Sequence, residues 1–95
     1  MEKLSERVML EQLAEEAMEM GQAALKLIRA RHGSENPTPV SEDEAFDRLL
    51  HEIADVMACL FVWEGDHDID MDMLFGMTID KLQRWSLRLS GNTAL

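Results

Sequence analysis

The sequence predicts an all-α protein, a helical bundle of three main helices, on three observations. Apolar residues recur at helical spacing through long stretches, and two turn-rich breaks divide those stretches into three. Strand signals are nearly absent: there is no tyrosine, threonine is sparse, and no run of β-branched residues alternates with polar ones. A chain of 95 residues with 46% apolar content reads as one folded domain, residues 1–95, rather than as a disordered segment. Three helices of this size leave a thin core inside one chain. Association into a homodimer or homotetramer is therefore expected to complete the bundle.

The first helix is predicted from about Leu4 to Arg31, where Leu13, Ala17, Met20, Ala24, Leu27 and Ile28 recur at helical spacing. Gly21 interrupts that stripe at a cost of about 1 kcal/mol relative to alanine. Close approach of another backbone is the expected reason for a glycine there. The segment HGSENPTPVS, with Gly33, Pro37 and Pro39, breaks the helix and reads as a loop. Ser41 and Glu44 then form a capping box for a second helix, and Glu42 and Asp43 suit its positive end. That helix is predicted to run to about Glu64, with Gly65, Asp66 and His67 as the next turn. A third helix is predicted from near Asp70 to near Ser90, stopped by Gly91, with the terminal NTAL frayed. Met9, Met18, Met20, Met57, Met71, Met73 and Met77 are expected to fill irregular core space. Trp63 and Trp85 read as core or subunit-interface residues, with stacking on a base as the alternative.

A formal charge of −10 argues against a nucleic-acid backbone as partner, because phosphates would be repelled. Small phosphorylated ligands stay open if metal ions neutralise the site. The single cysteine, Cys59, excludes an internal disulfide and fits a reducing compartment. Its apolar surroundings in the sequence favour a small buried hydrophobe over a reactive thiol. No stretch is long and apolar enough to span a membrane, and the acidic N-terminus is unlike a secretory signal. The cytoplasm is the default location.

The pattern that bears on function is a pair of acidic pairs. Glu16 and Glu19 lie in LAEEAMEMGQAAL, and Glu52 and Asp55 lie in LLHEIADVMACLF. A spacing of three puts both carboxylates of each pair on one side of a helix. With Leu13 set on Leu49, Ala17 falls on Ile53, Met20 on Val56, Ala24 on Leu60, Glu16 on Glu52 and Glu19 on Asp55. On a helical wheel the acids flank the apolar stripe in both helices, while Glu15 points largely away. Acidic pairs usually mark a solvated helix face. Here the pattern occurs twice in register, Asp55 sits in an apolar run that disfavours it, and no lysine or arginine one turn downstream neutralises any of the four. Upstream, Arg48 is within reach of Glu52 and His51 of Asp55. Four converging carboxylates need a cation, and an all-oxygen set suits Mg²⁺ or Mn²⁺ rather than zinc or copper. A di-iron carboxylate bundle would carry ExxH pairs inside its helices. The one such pair, Glu64 and His67, straddles Gly65 at a helix end.

EExxE at Glu15, Glu16 and Glu19, followed by ExxD at Glu52 and Asp55, resembles the all-α nucleoside triphosphate pyrophosphohydrolases of the MazG type. The QLAEEAMEMGQAALKLIR opening, the LLHEIADVMACL helix and a basic third helix are similar as well, over roughly residues 10 to 90. The resemblance implies an oligomeric helical bundle that binds Mg²⁺ and cleaves nucleoside triphosphates to monophosphate and pyrophosphate. It implies Glu16, Glu19, Glu52 and Asp55 as metal ligands, with Glu15 holding a second ion or orienting the attacking water. His51 stands where the first helix has Glu15, a departure that reads as an exposed or hydrogen-bonded helix residue, with support of a metal ligand from behind as the alternative. Lys81, Arg84 and Arg88 form a basic stripe, and Lys26 and Arg29 end the first helix. Lys81, Arg84 and Lys26 are the candidates to reach substrate phosphates, against the plain reading of basic faces favoured by helix C-termini. Two alternatives remain: the phosphoribosyl-ATP pyrophosphohydrolase of histidine biosynthesis, similar in size and acidic motif, and a non-catalytic helical interaction module.

Overall fold

Three side chains open three helices. Ser5 Oγ accepts from the Val8 amide at 3.2 Å, Ser41 Oγ from the Glu44 amide at 3.2 Å, and Asp70 Oδ1 from the Met73 amide at 3.1 Å. Each bond satisfies an amide that the first turn of a helix leaves without a partner. The computed structural model describes residues 4–32, 41–66 and 69–91, and in it these caps begin α1 (Glu6–His32), α2 (Glu42–Asp66) and α3 (Met71–Leu89). Ser90 closes α3, and Gly91 follows with φ +80, a backbone angle that favours glycine. The chain is all-α, with no strand among the described residues. No described helix is long and apolar enough to cross a membrane. The expected 33–40 loop, His67 and the terminal NTAL lie outside the described residues.

α1 and α2 pack together as a hairpin. Their seam follows an alternating four-and-three spacing: Met9, Leu13, Glu16, Met20, Ala23, Leu27 and Ala30 on α1, and Ala45, Leu49, Glu52, Val56, Cys59 and Trp63 on α2. Met9, Ala23, Leu27 and Ala45 are its buried apolar residues, and the other apolar members are half-buried. At the end where the chain passes from α1 to α2, Arg31 Nε bonds Glu42 Oε1 at 2.9 Å. The same guanidinium lies 5.3 Å from the centre of the Phe46 ring.

The structure corrects several expectations. Leu13, Met20, Ala24 and Leu27 of the expected stripe are buried or half-buried, but the stripe is not the whole of the buried face. Ala17, Ile28 and Ile53 are exposed, while Glu16 and Glu52 lie in the seam instead of flanking it. Gly21 has no close neighbour: a Cβ there would meet nothing within 4 Å. Met18, Met57, Met73 and Met77 are exposed rather than core. α2 runs on through Gly65 to Asp66, because the hydrogen-bonded ladder propagates cooperatively past one weak residue.

α3 makes no more than a marginal contact with the α1–α2 hairpin, and none of its residues is buried. The Cα radius of gyration is 17.2 Å, against about 12 Å for a compact chain of this length. The accessible surface is 7763 Å², against about 5,500 Å² for a folded monomer of this mass. A closed three-helix bundle is not formed within one chain.

Candidate metal centre

Seam positions in a helical hairpin normally hold apolar side chains, so a carboxylate there pays desolvation without a matching apolar contact. Glu16 and Glu52 occupy facing levels of the α1–α2 seam. Glu52 is 9% exposed, the most buried charged residue described, and Glu16 is half-buried. Asp55 projects from the turn after Glu52 and is exposed, not embedded as its apolar neighbours in the sequence suggest. One oxygen from each of Glu16, Glu52 and Asp55 lies within 4.8 Å of the others.

The two glutamates share a detail. Glu16 Oε1 accepts from Gln12 Nε2 at 2.8 Å, and Glu52 Oε1 is 4.0 Å from Arg48 Nη1. In both, the second oxygen, Oε2, is buried and takes no hydrogen bond among the described residues. An orphaned buried carboxylate oxygen is costly, and two of them beside a third acid find no compensating group among the described residues.

That arrangement passes the test of fit for a hard divalent cation. Opposite ligands of one Mg²⁺ are about 4 Å apart, so oxygens within 4.8 Å reach it by small side-chain rotations. The donors are carboxylates alone, which favours Mg²⁺ or Mn²⁺ over softer metals. Cys59, one turn beyond Asp55 on the seam, senses the same negative field. Burial pushes its thiol above the ordinary 9.0, and the charges of Glu16 and Asp55 push it further in the same direction. A reactive thiolate is disfavoured there.

Beside the acids, an open cleft of about 300 Å³ is lined by Glu19, Gln22, Ala23, Lys26, Arg48 and Glu52. Lys26 thus comes to the acidic site, as does Glu19, although Glu19 is not part of the three-carboxylate cluster. Glu15 is exposed and also outside the cluster. Lys81 and Arg84 are exposed on α3 and are not brought to the hairpin site within this chain. His51 is exposed and lies 3.6 Å from Asp47 rather than facing Asp55. Trp63 is half-buried on the seam, and Trp85 is exposed on α3.

Gln12, Gln22 and Arg48 were not candidates for the site on the sequence. The signal for Gln12 and Arg48 was present: each precedes its glutamate by one turn, and the two align in the same register as the acids. Comparison with protein-family models, with curated proteins and with solved structures finds no match for this chain.

Proposed function

We propose that this chain is a Mg²⁺-dependent nucleotide pyrophosphohydrolase of the MazG type, with Mn²⁺ as a substitute ion, that cleaves a nucleoside triphosphate to monophosphate and pyrophosphate in the cytoplasm. One observation carries the reading: two buried glutamate oxygens without partners among the described residues, on facing helices, with a third carboxylate within reach. A solvated acidic face, as in a pure interaction module, would have exposed carboxylates and no orphaned oxygens.

In this reading Glu16, Glu52 and Asp55 hold the ion, and Glu19 extends the set from the neighbouring cleft. The ion supplies charge neutralisation at the phosphates and a water acidified enough to attack phosphorus. Lys26 and Arg48, the two cations of the cleft, face the polyphosphate and offset the negative potential of the acids around it. Glu15 orients the water or takes a further ion from its exposed position. Lys81 and Arg84 take part when α3 is brought over a hairpin. The chain exposes about 2,200 Å² more than a compact monomer of its mass, enough to supply a standard-size interface, which supports a homodimer or homotetramer.

The test is a screen of triphosphates, phosphoribosyl-ATP included, with Mg²⁺ or Mn²⁺ and detection of released pyrophosphate. Asp55→Asn and Glu19→Gln should each abolish turnover while far-ultraviolet circular dichroism stays helical. If millimolar metal neither raises the melting temperature nor supports pyrophosphate release, the interaction-module reading replaces this one. Turnover of phosphoribosyl-ATP alone would move the assignment to that branch.

A further inference from the structure

The alignment of Glu16 with Glu52 extends one turn upstream, to Gln12 and Arg48. Gln12 donates a hydrogen bond to Oε1 of Glu16, the Arg48 guanidinium lies at ion-pair distance from Oε1 of Glu52, and both glutamates keep a buried Oε2 with no hydrogen-bond partner among the described residues. A free carboxylate rotates about its terminal torsion, which is broad and nearly two-fold. A hydrogen bond to one oxygen restricts that freedom, and a cation drawn to one oxygen biases it, so each influences where the other oxygen points.

We propose that Gln12 and Arg48 are positioning residues, Gln12 holding and Arg48 drawing Oε1 of the glutamate one turn ahead so that Oε2 is presented in the seam to a hard cation. The inference rests on the metal-site reading above and adds two residues to it. The pair is unequal by design of the side chains. Gln12 is a neutral donor at hydrogen-bond distance, whereas Arg48 is a cation at a looser 4.0 Å. That inequality provides a test of sign. If Arg48 acted only through its charge, removing it would tighten binding of a cation nearby. If Arg48 positions Glu52, removing it weakens binding, and a glutamine in its place restores the grip without the opposing charge.

The experiment is a Mn²⁺ titration of the full chain followed by the electron paramagnetic resonance signal of free ion, with no substrate present. Gln12→Ala and Arg48→Ala should each raise Kd on the order of 10-fold, the lower end of what losing an outer partner of a metal ligand costs. Arg48→Gln should bind at least as well as the natural chain. Both positions are exposed and alanine is a strong helix former, so the far-ultraviolet circular dichroism should stay helical, while loss of a carboxylate's partner should lower the metal-free melting temperature by no more than a few degrees. Absence of Mn²⁺ binding by the natural chain would remove the metal site itself and this inference with it. Binding by the natural chain with unchanged Kd in Gln12→Ala, or a lower Kd in Arg48→Ala, would leave the metal site standing and overturn the positioning roles.

Discussion

Ser41 caps α2 and Asp70 caps α3 by the same kind of bond, at 3.2 and 3.1 Å, yet the two helices that follow have different fates. α2 lays a seam against α1 and buries Ala45 and Glu52 in it. α3 carries Met73, Phe75, Met77, Ile79, Leu82 and Trp85, all more than half exposed or at that limit, and only Met71 and Leu74 are as much as half-buried. Capping and periodicity therefore define a helix without deciding where it rests. An isolated helix of 19 residues is marginal in water, since nucleation is costly and tertiary packing normally supplies most of the stability. The hairpin has that packing and α3 does not, which also explains why the carboxylate site forms on the hairpin and the basic stripe of α3 stays apart from it.

Core truncation should separate the two regions most sharply. Leu27→Ala removes one of the few buried side chains and should cost about 2–3 kcal/mol, at the low end for leucine truncation because the core is thin. Leu82→Ala, at a position 63% exposed, should cost under about 0.5 kcal/mol in the monomer. Denaturant midpoints check both values. A Leu82→Ala loss that grows with protein concentration would show α3 buried by a second copy and remove the difference between the two regions.

A smaller effect should be equal in the two regions. Gly21 in α1 and Gly76 in α3 are both helical, and an added Cβ meets nothing within 4 Å at either. Gly21→Ala and Gly76→Ala should each stabilise by about 0.5–1 kcal/mol, since the gain comes from backbone entropy rather than contacts. Melting curves of the two variants test it. A loss at Gly21 would mean that α1 approaches another backbone in an assembly.

The smallest effect concerns pH and belongs to the hairpin alone. Folding raises the Cys59 thiol above its ordinary 9.0, so the fold favours the neutral form. The stability linked to it is fully present below that ordinary value and is lost as pH rises through the folded one. Glu16→Gln should bring the thiol part of the way back down, and so should saturating Mg²⁺, because both remove negative charge beside it. Thiolate absorbance against pH reads this without interference, as the chain has one cysteine.

Much of the site was legible before folding was considered. The alignment of Glu16 with Glu52 and of Glu19 with Asp55 follows from the apolar spacing alone. The face was not legible. Ala17 and Ile53 fit the helical stripe as well as Glu16 and Glu52 do, and apolarity made them the natural choice for the seam. Adjacent residues on a helix differ by about 100° in direction, and a broad apolar stripe tolerates either rotation. Contact with a second helix selects one.

The sequence by itself determined the three helices, their caps and the alignment of two acidic segments, because those depend on bonds and spacings within a turn or two of chain. Tertiary structure decided that Glu16 and Glu52 enter the seam, that Asp55 and Glu19 stay at its edge, and that α3 lies off the hairpin. Those outcomes depend on which surfaces meet, and the free energy of burial is a property of the pair of surfaces rather than of either segment.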